Sequence, residues 1–128
     1  MRALVDTHVF LWWNMGDPQL SDRAREFMRE ATNELFVSAA TAWEIAIKAG
    51  CGRLSLPLPP EVYVPDRMAL HRMRPLPIEF SHALRVSGLP PIHQDPFDRL
   101  LIAQCQVEGL PLLTADRHIP RYDLEVIW

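Results

Sequence analysis

The sequence predicts an α/β fold of three layers, α/β/α, in which a mostly parallel sheet of four to five strands lies between helices. Three observations carry this. Short apolar runs of strand length, Ala3-Leu4-Val5 first among them, lack the in–out alternation of a half-exposed strand, so both sheet faces are expected to be covered. Segments with helical spacing separate these runs, an alternation that gives parallel strands. The chain has 128 residues, 48% of them apolar, which suits one domain over residues 1–128 burying roughly 65–70% of its unfolded surface.

The elements follow in order. The first strand, Ala3-Leu4-Val5, ends at Asp6. A helix runs through Val9-Phe10-Leu11-Trp12-Trp13 and stops near Gly16-Asp17-Pro18. Ser21 offers an N-cap to a second helix, in which Leu20, Ala24, Phe27, Met28 and Ala31 recur at helical spacing. Glu34 to Ser38 reads as the second strand, and Thr41 to Ala49 as a helix closed by Gly50. From Gly50 to Pro60 the prolines at 57, 59 and 60 remove donors and fix the backbone, so this stretch is irregular. A helix is expected over Glu61–Arg72. Arg74 to Ile78 is expected as an edge strand, where proline is tolerated, and a helix over Phe80–Val86 follows. Asp95-Pro96 opens the clearest helix, with Asp at the cap, Pro at the first position, and Phe97, Leu100, Leu101 and Cys105 on one face. Gly109 ends it. Strands at Leu110–Leu113 and Leu124–Ile127 complete the chain.

Thirteen basic and sixteen acidic residues give a net charge of −3, which argues against binding nucleic acid through a bulk positive field. Lys48 is the only lysine and so the only side-chain amine. Cys51 and Cys105 are too few for a disulfide scaffold or a zinc site and are expected as free thiols. Asp6 interrupts the apolar start too early for a signal peptide, and no apolar run approaches the ~20 residues needed to span a bilayer. A cytoplasmic protein with no membrane partner is the expectation.

Ligands of an open parallel sheet collect beyond the carboxyl ends of its strands. Asp6 and Asp116 fall at two such ends, although turn formation or helix capping accounts for either one alone. Asp95 caps the Asp95-Pro96 helix. Asp98 suits the helix dipole by ~0.3–1 kcal/mol, but it also stands at the edge where the crevice would lie. Glu44 fits a capping box with Thr41 and an i,i+4 pair with Lys48, worth ~0.2–0.5 kcal/mol. Against that, its neighbours Trp43, Ile45, Ala46 and Ile47 are apolar, and a carboxylate held there needs a cation or several donors. If the four acids meet, mutual repulsion raises their proton affinities unless a cation sits among them. A cluster of carboxylate oxygens without a clear Cys or His contribution suits a hard ion, Mg²⁺ or Mn²⁺. Such an ion can lower the pKa of a bound water and hold phosphate oxygens for in-line attack.

These residues, in this order, resemble the PIN-domain nucleases, and most closely the VapC toxins of bacterial toxin–antitoxin pairs. The matching stretches are Leu4-Val5-Asp6-Thr7-His8, Val37-Ser38 to Glu44-Ile45, His93-Gln94-Asp95-Pro96-Phe97-Asp98-Arg99-Leu100-Leu101-Ile102-Ala103 and Leu113-Thr114-Ala115-Asp116-Arg117. Lys48 to Gly52-Arg53-Leu54 also matches a recurring loop of one VapC-like subgroup. The similarity covers essentially the whole chain.

The resemblance implies a PIN-like domain with an acidic pocket that binds Mg²⁺ or Mn²⁺ through Asp6, Glu44, Asp98 and Asp116. Asp6 and Asp98 are implied as direct ligands, Glu44 and Asp116 as ligands through water. Thr114 supports the pocket by hydrogen bonding, and Asp95 stands beside Asp98 or in its place. Arg99 and Arg117 adjoin the acids and either hold the RNA backbone or pair with them, with Arg53 and Arg121 as weaker candidates. The implied activity is an endoribonuclease leaving a 5′-phosphate and a 3′-hydroxyl, with a cognate antitoxin that lays a helix and tail across the toxin, and a homodimer. Trp12-Trp13 and the face formed by Val62, Val64, Met68, Leu70 and Met73 are either part of the partner groove or ordinary core.

Other functions are weighed by the same residues. A phosphorylatable receiver wants a second acid beside the first-strand Asp and a Lys ending a late strand; here Thr7-His8 follow Asp6, and the only Lys lies in a helix. A haloacid-dehalogenase-type phosphatase wants an acid two residues after the nucleophile, where His8 stands. A degenerate PIN domain that only binds a partner would not keep all four acids, and an RNA-processing PIN nuclease would lack a neighbouring antitoxin gene. The charge reads differently in this light: sixteen acids less the four of the pocket leave twelve against thirteen basic residues. Substrate choice is then expected to rest on RNA shape and a few local arginines.

Overall fold

Successive residues of a strand face opposite sides of a sheet, and here both sides are buried. In β1 (Arg2–Val5), Ala3 and Val5 enter one core while Leu4 enters the other. β2 (Glu34–Ser38) divides Leu35 and Val37 from Phe36 in the same way. β4 (Leu112–Leu113) and β5 (Val126–Ile127) each send one residue to either side. The first core is completed by α1 (Thr7–Met15), α2 (Asp22–Arg29) and α4 (Pro60–Leu70), and the second by α6 (Pro96–Glu108). α3 (Ala39–Gly50) contributes Ile45 to the first and Ala40 to the second.

The computed structural model, which describes residues 1–128, is thus the expected three-layer α/β/α arrangement. Its sheet has five strands in the order β3-β2-β1-β4-β5, with β3 (Arg74–Leu76) at one edge. All four pairings are parallel. Strands are added outward from β1 to β3 on one side and from β4 to β5 on the other, so the order reverses between β1 and β4. Val5 pairs with Leu113 across that seam, and the chains leave the sheet side by side as Asp6 and Thr114. No helix is long and apolar enough to cross a membrane.

Element boundaries differ from expectation where caps decide them. α1 starts at Thr7 rather than near Val9, because Asp6 is itself the N-cap, its Oδ1 accepting the His8 N–H at 2.7 Å. α3 starts at Ala39, capped by Ser38 Oγ, which accepts the Ala40 N–H at 2.9 Å. The capping box expected of Thr41 and Glu44 therefore does not form. Thr41 is buried inside the helix and shares a hydrogen bond with Thr7 between hydroxyls 3.0 Å apart. β4 loses Leu110 to the end of α6: Gly109 takes the left-handed φ of 65°, and the Leu110 N–H returns to the Cys105 carbonyl. α5 (Phe80–Arg85) and the edge strand β3 fall inside their expected spans.

Candidate active site

Three of the four expected acids line one pocket of about 250 Å³ at the β1–β4 seam, together with His8, Trp12, Thr114 and Ala115. Each arrives for a local reason. Asp6 follows β1 directly and caps α1, which leaves Oδ2 to accept the Thr114 hydroxyl at 2.7 Å. Thr114 follows β4, and its Oγ1 in turn accepts the Asp116 N–H at 3.1 Å. Asp98 sits in the first turn of α6. Asp95 caps that helix, its Oδ1 accepting the N–H groups of Phe97 and Asp98. One oxygen of Asp95, Oδ1, is thus taken up by the cap.

Glu44 is the fourth acid. It is buried within α3 and does not line the pocket. Its Oε2 receives Lys48 Nζ at 2.5 Å, while Oε1 is buried with no hydrogen-bond partner. The Glu44 charge nonetheless reaches Asp98, contributing to the rise in its proton affinity.

The electrostatics are those of a cluster short of positive charge. Burial holds the Asp6 carboxyl above its usual range, against the opposing pull of the Thr114 bond and of His8. Asp98 is pushed up to about 7, by burial first and then by the charges of Asp6 and Asp95. Asp116 moves the other way. Partial burial opposes its ionisation, but the His118 N–H at 2.8 Å and the His93 ring hold its carboxyl below the usual range. Two carboxylates forced toward protonation, and a third with a bare buried oxygen, are what a bound cation would relieve. The donor set is oxygen-rich, which fits a hard divalent ion.

Sequence reasoning missed His93. Its Nε2 lies 2.7 Å from Asp116 Oδ2 and 3.2 Å from Asp98 Oδ2, and the three groups come within 4.8 Å of one another. A histidine thus stands against the carboxylates, where the sequence signalled acids alone. The signal was present two residues before the cap, in His93-Gln94-Asp95-Pro96, where a histidine side chain reaches the N-cap backbone.

Arg99 turns away from the acids. Its guanidinium donates to the carbonyls of Val86, Leu89, Pro90 and His93 and to the Tyr122 hydroxyl, so it braces the 86–93 loop. The expected pairing of Arg99 with the pocket acids is therefore not what the structure shows. Arg117 is exposed beside Asp116, and Arg53 and Arg121 are exposed as well. The expected partner face divides. Val64 and Met73 are core, Val62 and Leu70 are exposed, and Trp13 packs edge-on against His71. A larger cavity of about 560 Å³ lies between α3 and α4, lined by Ala42, Ala46, Ala49, Val64 and Met68, and it holds none of the four acids.

Comparison with known proteins places this geometry. Residues 3–125 match the family model of the PIN domain. The chain is similar to Ribonuclease VapC22 of Mycobacterium tuberculosis (strain ATCC 25618 / H37Rv), at 33% identity over 118 residues, covering 91% of this chain and 88% of that protein. It is also similar to Ribonuclease VapC16 of the same organism, at 39% identity over 71 residues, although that match spans 54% of this chain and only half of the relative. Among solved structures, VapBC2 from Rickettsia felis, bound to a DNA fragment from their promoter, superposes with a TM-score of 0.72 at 12% identity, covering 98% of this chain and 97% of that one. DNA-bound VapBC from Salmonella typhimurium gives 0.69 at 17% identity, with 98% and 96% covered. At these identities the likeness is one of fold.

Proposed function

This chain belongs to the PIN-domain family, and from that premise we propose that it is a divalent-metal-dependent endoribonuclease, the toxin of a toxin–antitoxin pair. The observation that carries the reading is the convergence of Asp6, Asp98 and Asp116 on one pocket at the sheet's switch point, with Glu44 buried behind them. Two relatives named as ribonucleases support RNA as the substrate.

Asp6 and Asp98 are the proposed direct ligands of Mg²⁺ or Mn²⁺, with Glu44 and Asp116 acting through water. The ion, when bound, would polarise a phosphate oxygen and make a water more acidic. The chain's own groups do the rest. The Thr114 hydroxyl fixes which Asp6 oxygen faces the pocket. Lys48 neutralises one oxygen of Glu44 and leaves the other bare. Asp98, whose proton affinity is raised by burial and by the charges of Asp6 and Asp95, would have to be ionised to hold the cation. His8 and Trp12, whose rings lie 5.8 Å apart, form an aromatic wall of the pocket on which a base beside the cut can stack.

The apolar cavity between α3 and α4 is the proposed seat of an antitoxin segment, whose basic tail would be drawn to the acidic pocket. A homodimer in the cytoplasm is part of the same reading. RNA cleavage measured with Mg²⁺ or Mn²⁺, with EDTA, and with Asp6→Ala tests it. Cleavage should need the ion and fall by orders of magnitude in the variant; undiminished cleavage by Asp6→Ala would sink the site assignment.

A further inference from the structure

His93 is held from every side. Its backbone N–H donates to the Tyr122 hydroxyl at 2.7 Å, and its carbonyl accepts Arg99 Nη1 at 3.3 Å. The ring is 15% exposed. Nδ1 accepts the Asp95 backbone N–H at 3.1 Å, and a ring nitrogen that accepts from a backbone N–H carries no proton. The proton of the neutral imidazole therefore sits on Nε2, the nitrogen that faces Asp116 and Asp98. A protonated ring nitrogen has no free in-plane lone pair to give a cation. To ligate through Nε2, the ring would have to move its proton to Nδ1, where it would meet the Asp95 N–H head-on.

We infer that His93 is a positioning residue, a hydrogen-bond donor that aims Asp116 into the pocket with Asp98 Oδ2 3.2 Å from the same nitrogen, and not a fifth metal ligand. The inference rests on the nuclease reading of this pocket. The grouping of Nε2 with two carboxylates looks like a three-ligand metal site, but the Asp95 N–H excludes that role. Asp116 is instead fixed at both ends, with Oδ1 accepting the His118 N–H at 2.8 Å and Oδ2 the His93 Nε2–H at 2.7 Å. Each oxygen keeps a lone pair directed outward. The neutral N–H also stands between two carboxylates that would otherwise repel. Arg99 and Tyr122 clamp the loop that carries the ring, which gives this half-buried arginine a purpose that does not involve the substrate.

The test uses the full chain, with Mn²⁺ as the probe, in wild type, His93→Gln, His93→Ala and Asp98→Ala. A Gln side chain can present an amide N–H near the Nε2 position but offers no imidazole nitrogen. Pulsed EPR of Mn²⁺ bound to wild type reads directly whether an imidazole nitrogen is coordinated, and the expected result is that none is. His93→Ala should weaken Mn²⁺ binding and lower kcat about 10–100-fold, the usual cost of losing a group that orients a ligand, with KM for RNA unchanged. His93→Gln should reduce that loss to about threefold, and their melting temperatures show whether both variants are folded. An imidazole coupling in wild type that vanishes in His93→Gln would overturn the inference, as would Gln proving as damaging as Ala in a folded protein. Asp98→Ala binding Mn²⁺ as tightly as wild type would instead remove the nuclease site itself, and that outcome is recognisable because His93 is intact in it.

Discussion

Thr114 donates its hydroxyl to Asp6 across 108 residues of chain, with Oγ1 and Oδ2 2.7 Å apart. The same Oγ1 accepts the Asp116 N–H at 3.1 Å, so one hydroxyl couples the acids that end β1 and follow β4. Thr114→Val keeps the shape but leaves Asp6 without its donor and the Asp116 N–H without an acceptor. It should lower metal affinity and kcat about 10–100-fold, as loss of an orienting hydrogen bond does, and cost about 1–3 kcal/mol of stability. Thr114→Ser should restore most of both. Titration calorimetry with Mn²⁺ beside urea unfolding checks this, and a Val variant equal to wild type in both would remove Thr114 from the site.

Asp98 predicts a pH dependence with a definite sign. Its carboxyl is raised from 3.8 to about 7 in the fold, so the folded state holds a proton that the unfolded chain gives up. The metal-free protein therefore loses stability as pH rises from about 4 to about 7, the reverse of a salt-bridged carboxylate. Metal-free Asp98→Asn should melt several degrees above wild type at pH 8 and level with it only below about pH 4. Mn²⁺ affinity in wild type should rise about tenfold per pH unit below 7 and flatten above it. A melting difference independent of pH would show that Asp98 is not the group responsible.

Lys48 and Glu44 predict a destabilisation that a cation offsets. The Glu44 carboxylate is buried, its Oε2 bonded to Lys48 and its Oε1 to nothing. Lys48→Met removes the only cation beside it. The cost should be roughly 3 kcal/mol, the low end for stranding a buried charge, because Lys48 itself is partly in solvent. Saturating Mg²⁺ should recover part of the loss by supplying charge from the pocket side. Thermal unfolding with and without Mg²⁺ measures both, and an equal loss in the two conditions would separate Glu44 from the metal site.

How far the sequence was legible depended on the range of the interaction. Elements fixed by local chemistry were read correctly: the Asp95-Pro96 start and Gly109 stop of α6, and the proline-broken stretch before α4. Four of the five parallel strands followed from their apolar runs, since both faces are buried, whereas β3 was legible only as a proline-bearing edge strand. Misreadings arose where two signals competed. Thr41 and Glu44 have the spacing of a capping box, but Ser38, directly after β2, captured the helix start and left Thr41 to meet Thr7. Arg99 lies one residue from Asp98, yet on the helix it points back to the carbonyls of the 86–93 loop, whose position only the folded chain fixes. His93 was overlooked for the same reason, since its partner Asp116 is 23 residues away.

Trp12 predicts where substrate affinity comes from. A chain with net charge −3 has little general attraction for a polyanion, so stacking and local contacts must supply binding. Trp12 lines the acidic pocket, half-buried between His8, 5.8 Å away, and Trp128, 6.0 Å away, which hold its ring in place. A base stacked on an aromatic face is worth about 1–3 kcal/mol by alanine substitution. Trp12→Ala should therefore raise KM for a single-stranded RNA roughly 5–100-fold while kcat changes little, and Trp12→Phe, which keeps a face, should sit between. The salt dependence of KM should be shallow in wild type and variant alike, because few phosphates are neutralised. Steady-state cleavage of one short RNA at several salt concentrations makes the measurement, and a steep salt slope with KM indifferent to Trp12 would shift substrate binding to the exposed arginines instead.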